Sequence, residues 1–267
     1  MTQQNNIHEF ACTGPIDLRV RIAAGDLSVT AEATSTAVVR VSPADGSKAS
    51  QEAAERTLVA FSGDTLQIET PDRSGWRNGR VRVEVRVPTD SRLRAGLGSA
   101  DVRTEGQLGA AIVHSGSGDA TLHLTTGDLQ VESGSGDVRV GAVGGALRVK
   151  TGSGDISADT VSGAVSVKAA SGDIRLGAVS GDVEVTSASG DIGLGKVRSG
   201  NLKINSASGD VSVGVPTGTS VWLDLSTVSG STDSDLAMTG DAPDGGPALS
   251  LRVNTVSGDI SVRRVAA

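Results

Sequence analysis

The sequence predicts an all-β fold, a single-stranded parallel β-solenoid or β-helix with rungs of ~18 residues, capped by an irregular β-rich N-terminal region. Three observations predict it. First, the aspartates that follow Ser-Gly or a similar pair stand at Asp101, Asp119, Asp137, Asp155, Asp173 and Asp191, each 18 residues after the last. Asp210 follows at 19, and Asp259 repeats the motif after an interruption. Second, the segments between these turns alternate strictly. Val138 and Val140, Ile156 and Ala158, Ile174 and Leu176, and Ile192 and Leu194 share one side, with Arg139, Ser157 and Arg175 between them. A period of two puts one face inward and one outward. Third, the 267-residue chain has no Tyr, two Phe and two Trp, so its core must be filled by Val, Leu, Ile and Ala. That suits a narrow, repetitive interior.

A weaker copy of the turn lies halfway between the strong ones, at Gly127-Asp128, Gly145-Ala146, Gly163-Ala164, Gly181-Asp182 and Gly200-Asn201. Each unit is therefore near nine residues, a turn and a short strand, with two units per rung. The strands after the weak turn also alternate, placing Leu147 and Val149, Val165 and Val167, Val183 and Val185, and Leu202 and Ile204 inward. Val143, Val161, Val179 and Val197 add another inward column. One alternating strand cannot bury its apolar side alone. Stacking equivalent strands ~4.8 Å apart turns these residues into continuous aliphatic columns.

Residues 1–95 read as a β-rich cap region that shields the first regular rung from edge pairing, and residues 96–267 as the solenoid, with a loop insertion near 231–247. The expected strands of the first part are Ile16–Ile22, Leu27–Ala31, Val38–Val41, Leu58–Ser62, Leu66–Thr70 and Val81–Val87. One short helix is expected at Ser47–Arg56. Gly25-Asp26 and Gly63-Asp64 echo the repeat, so this part reads as early, elaborated rungs. Beyond Val213, strands are expected at Val221–Leu223 and Leu249–Val253, and Asp259–Val262 is expected to close the chain as a last rung.

A net charge of −7 without a basic stripe or stacking aromatics gives no nucleic-acid footprint. The single Cys12 allows no internal disulfide. No stretch approaches the ~20 apolar residues of a membrane span, and the polar start MTQQNNIHEF lacks a signal-peptide pattern, so the expected location is cytoplasmic.

The Asp ladder is the strongest constellation. Stacked carboxylates repel, so something must compensate. A column of calcium ions is one reading, because calcium β-rolls also use nine-residue units. Here, however, the Asp directly follows the Gly, and the second column lapses to Ala146 and Ala164. The preferred expectation is that each Asp accepts backbone N–H groups within its own turn. The Ser column (Ser117, Ser135, Ser153, Ser171, Ser189, Ser208) reads the same way, as turn residues whose hydroxyls bond one another. His114 and His123 are nine residues apart and hence on opposite sides of a rung, which gives no zinc site; no cofactor is expected. No Gly-x-Ser-x-Gly, phosphate-loop or dinucleotide motif occurs. A carbohydrate-acting β-helix would want aromatics and differently tuned carboxylates, whereas these are taken to be buried in identical turns. The loop around Trp76, Arg77 and Arg80 is the one candidate contact site.

The tandem SGSGDVRV and ASGDIRL rungs, the GDLSVTA strand, the passage VRVEVRVPTDSRLRAGLGSADV and the terminal TVSGDISVRR together resemble a bacterial β-strand-repeat family. That family is the one called putative adhesin, domain-of-unknown-function family 4097. The resemblance covers nearly the whole chain. It implies a β-solenoid of unknown biochemical role, and it carries over no catalytic residues. The expected function is a non-enzymatic binding or scaffold protein with an unknown protein or surface ligand as partner. The alternatives are filament formation through the terminal rungs and, less favoured, a polysaccharide-acting enzyme.

Overall fold

A computed structural model describes residues 6–71, 79–236 and 248–266. The chain packs as two compact units, Met1–Val140 and Gly141–Ala267. In both, the alternation written in the sequence becomes strands with one buried and one exposed face.

The first unit opens with β1 (Asn6–Ala11), β2 (Asp17–Glu32) and β3 (Thr36–Pro43), then a helix, α1 (Lys48–Glu55). The helix starts where expected. Ser47 is its N-cap, and the Ser47 hydroxyl accepts the Ser50 N–H at 3.1 Å, supplying one of the bonds a first turn lacks. There follow β4 (Leu58–Ser62), β5 (Thr65–Glu69), β6 (Val81–Pro88), β7 (Arg92–Leu108), β8 (Ala111–Ser117), β9 (Ala120–Thr125) and β10 (Leu129–Ser135). β11 (Val138–Val143) contains the boundary between the units.

β2 runs as one strand where two were expected. Ala23, Ala24 and Gly25 carry it around a corner with no shift of register against β7, which places Leu18 beside Leu93 and Asp26 beside Asp101. Gly25-Asp26 is thus a true rung turn. Gly63-Asp64 is not, because it closes the antiparallel hairpin of β4 and β5. On its other edge, β2 pairs in parallel with β5 over its first half and with β6 over its second. β3 then pairs antiparallel to β6, and β1 antiparallel to β3. The parallel stack therefore meets antiparallel strands at this end, which occupy the backbone groups an open edge would expose.

The second unit holds β12 (Leu147–Ser153), β13 (Ile156–Val161), β14 (Val165–Ser171), β15 (Ile174–Val179), β16 (Val183–Ser189), β17 (Ile192–Val197), β18 (Gly200–Ser208) and β19 (Val211–Pro216). After these come β20 (Val221–Ser229), β21 (Thr232–Ser234), β22 (Leu249–Ser257) and β23 (Ile260–Val265). Each strand pairs in parallel with its equivalent one rung on, so Ile156, Ile174 and Ile192 form one column and Val165, Val183 and Leu202 another. All of these side chains are at most 2% exposed, and Val143, Val161, Val179 and Val197 are buried as expected. Burying such a side chain contributes about 1.5–3 kcal/mol.

Two expectations fail at the end of this unit. The segment Asp259–Val262 does not form the last rung. β22 pairs with β18 on one side and β20 on the other, and β23 lies likewise between β19 and β21. The chain makes the outer rung first and returns to fill the space inside it. The reason is geometric: β20 and β22 share the same alternation and the same Thr-Val-Ser-Gly corner, so either fits against β18. The inner rung is the better core former. Leu249, Leu251 and Val253 are buried, whereas Val221, Leu223 and Leu225 are only half-buried. The segment expected as an exposed loop also contains a short strand, Thr232–Ser234, because β23 offers it an edge. Residues 237–247 lie outside the described residues.

Candidate functional site

The Asp ladder follows from the corner glycines. At each strong turn the glycine takes a positive φ, +110° at Gly172 for example, which brings the chain sharply round and leaves the next residue's amide facing along the stack. The amide then finds a carboxylate. The Asp119 N–H donates to Asp101 Oδ1 and the Asp137 N–H to Asp119 Oδ1, both at 2.9 Å. In the second unit the Asp173 amide reaches Asp155, the Asp191 amide reaches Asp173, and the Asp210 amide reaches Asp191, at 2.9–3.0 Å. The expectation of bonds within each turn is therefore corrected. The donor is the equivalent aspartate one rung further on, because at a stacked corner that amide has no strand partner of its own. These carboxylates are also not buried. Asp119, Asp155, Asp191, Asp210 and Asp259 are exposed, since the corner turns its side chain outward.

The ladder follows the stack and not the sequence. The Asp259 amide donates to Asp210 Oδ1 at 2.8 Å, and Asp259 Oδ1 in turn accepts from the Ser231 amide at 2.7 Å and its hydroxyl at 3.0 Å. The Ser231 amide, and then its hydroxyl, hold the Asp259 carboxyl below its ordinary pKa of 3.8. A lowered folded-state value means the contribution is complete above the unfolded value and is lost as pH falls through the folded one. Acidification below the ordinary aspartate range should therefore loosen the β21–β23 rung, and Asp259→Asn should remove that step. Carboxyl chemical shifts of Asp259 across an acid titration would check it.

Arginines offset the repulsion in alternate rungs. Arg139 lies 2.7 Å from the Asp137 carboxylate and 3.8 Å from that of Asp119. Arg175 spans Asp173 at 2.7 Å and Asp155 at 4.0 Å. Further along, Gly193, Ser212 and Ser261 take the arginine's place, leaving a shallow depression lined by Asp191, Asp210, Asp233 and Arg263. Among the described residues, no group of three or more His, Cys, Asp and Glu is placed to hold a metal ion. The Ser column does less than expected: Ser117 donates to Ser99 at 3.2 Å, and no bond between the other column hydroxyls is found among the described residues.

The other outward face carries mixed charge in fixed register. Glu184 stands beside Lys203 at 3.7 Å, and Arg252 beside Asp224 at 2.8 Å while its guanidinium also covers the Trp222 ring. His114 meets Glu132 at 3.3 Å and lies on a different strand from His123, as expected. Of the expected contact loop, Trp76 and Arg77 lie outside the described residues. Arg80 is exposed, and its amide donates to the Ser50 hydroxyl at 2.9 Å, tying the loop's end to α1.

One group escaped the sequence reading. Arg19 and Arg94 are directly opposite each other on β2 and β7, with Arg21 opposite Gly96 and His114 next in that row. The signal was available. Superposing Gly25-Asp26 on Ala100-Asp101, an offset of 75, places Arg19 on Arg94.

The Toastrack DUF4097 family model matches residues 17–263. The chain belongs to that family. Its match takes in the cap strands from β2 onward as well as the regular rungs, so the Toastrack fold includes both. Among solved structures, the chain is similar to one described as a putative adhesin from Bacteroides fragilis NCTC 9343, with 12% identity, TM-score 0.48, and 99% and 98% of the two chains covered. It is also similar to one described as a putative lipid binding protein from Parabacteroides distasonis ATCC 8503, with 14% identity, TM-score 0.45, and 98% and 96% covered. A putative adhesin from Parabacteroides merdae ATCC 43184 gives 11% identity and TM-score 0.32 over 98% and 96%. No curated protein matches the chain significantly. No helix among the described residues is long and apolar enough to cross a membrane.

Proposed function

We propose that this Toastrack chain is a non-enzymatic binding or scaffold protein that holds a partner against its outward strand faces. One observation carries the reading. Among the described residues the buried polar set is Ser and Thr alone, so every described Asp, Glu, Lys, Arg and His lies partly or fully at the surface, set in rows by parallel pairing. Acid–base catalysis draws on titratable groups tuned apart by unlike environments. Here the carboxylates sit in repeated, solvated corners, and the shift at Asp259 keeps it ionised. Flat rows of fixed charge suit complementary recognition, which steers and selects a partner.

The test is capture from a host lysate on immobilised protein, compared with two charge-reversed variants. Lys168→Glu with Arg252→Glu alters the face of β14 and β22, and Arg175→Glu with Arg263→Glu alters that of β15 and β23. The reading expects a macromolecule retained by the wild type and released by one variant alone. Retention of nothing by the wild type, or equal retention by all three, would overturn it.

A further inference from the structure

Several arginines on this molecule face an acid across strands. Arg82 faces Asp26, Arg40 faces Glu84, Arg92 faces Asp17, and Arg252 faces Asp224. Arg19 and Arg94 do not, and although like charges also meet at Lys150 and Lys168 and at Lys203 and Arg252, two of those four, Lys203 and Arg252, have an acid within 4 Å. Arg19 and Arg94 are neighbours in register, both are exposed, and neither has an acidic partner among the described residues. Like charges directly opposite destabilise a sheet. The chain tolerates this pair although its net charge is −7.

The next row supplies the shape. Gly96 lies between Arg21 and His114, and a Cβ at Gly96 would meet nothing within 4 Å. Two strand spacings put the flanking side chains roughly 10 Å apart, with an open floor between them. Arg94, two residues away, lines the same hollow, and half-buried Ile112 lies beside it. Arg21 and His114 already have acids, Glu69 at 3.0 Å and Glu132 at 3.3 Å. The two uncompensated charges are those of Arg19 and Arg94.

We propose that this trough binds a phosphate monoester group, seated over Gly96 and held by the Arg19 and Arg94 guanidiniums. Two unpaired positive charges match a group of about −1.5 to −2 at neutral pH. Guanidinium forks match tetrahedral oxyanions by paired N–H donors. The proposal deepens the binding reading by naming a ligand class for one face, and it rests on that reading. The phosphate can be free or the headgroup of a lipid.

Calorimetric titration with inorganic phosphate tests the free form, and co-sedimentation with phosphatidylcholine vesicles containing phosphatidic acid tests the lipid form. Saturable binding of either probe is expected, weakened roughly tenfold or more by Arg19→Gln with Arg94→Gln. Gly96→Leu should weaken it as well, because it fills the hollow and leaves the charge intact. Arg139→Gln, which removes a ladder arginine, should leave binding unchanged. Far-UV spectra confirm that each variant is folded. Binding of phosphate alone or of vesicles alone supports the trough and identifies the source. Failure of both probes to saturate, or binding that survives Gly96→Leu, overturns the proposal. Capture through the β14 and β15 faces would then still stand or fall separately.

Discussion

Gly172→Val is expected to destabilise the second unit by about 3 kcal/mol or more. Two effects add. Gly172 sits at φ +110°, where a β-branched residue is strained, and a Cβ there would overlap the Gly154 carbonyl oxygen in the rung below. That oxygen is backbone and cannot swing aside. The damage also spreads, because displacing the corner moves the Asp173 amide and carboxylate, each of which bonds a neighbouring rung. Gly96→Val makes the control. Its surroundings are open and its φ is not positive, so a change within about 0.5 kcal/mol is expected. Thermal melts of the two variants side by side would show it. Equal stability would mean that the corner conformation is not what sets the rung.

Ile174→Ala should cost about 2–5 kcal/mol. Ile174 is 1% exposed and sits between Ile156 and Ile192 in its column. The strand above and the strand below fix its neighbours, so the cavity cannot collapse without breaking parallel pairing. One residue on, Arg175 faces solvent and its ion pairs are surface pairs, so Arg175→Ala should cost less than about 1 kcal/mol. A urea series on both variants would read the contrast. A repeat protein unfolds in neighbour-coupled steps, so a broadened transition for Ile174→Ala would also fit the account.

The regular rungs were legible because their information is local and repeated. Spacing fixed the Asp column, and alternation fixed which of Val165, Ser166 and Val167 face inward. Other features depend on choices between equivalent neighbours. The corners of β20 and β22 read Thr-Val-Ser-Gly alike, so nothing local tells which packs on β18. The burial of Leu251 against the half-burial of Leu223 decides it only once the rungs are assembled. Gly63-Asp64 and Gly25-Asp26 are the same pair of residues, yet one closes a hairpin and the other turns a rung, because the distinction lies in which strand comes next. The ladder's donor was misplaced for a related reason. The sequence shows a carboxylate beside a turn, but the amide it bonds belongs to a residue 18 positions away. The basic trough needed the register of β2 on β7, which runs through a corner that reads as a break.

Aliphatic columns and an amide-to-carboxylate ladder hold the solenoid. In the ladder, Oδ1 of Asp101, Asp119, Asp155, Asp173, Asp191, Asp210 and Asp259 is already engaged by a backbone N–H from a neighbouring rung. Far-UV circular dichroism melts in excess chelator, and again with added calcium or magnesium, test this most directly. The same β spectrum and nearly the same melting temperature are expected in all three. A cooperative loss of β-structure in chelator, restored by calcium and not by magnesium, would contradict it.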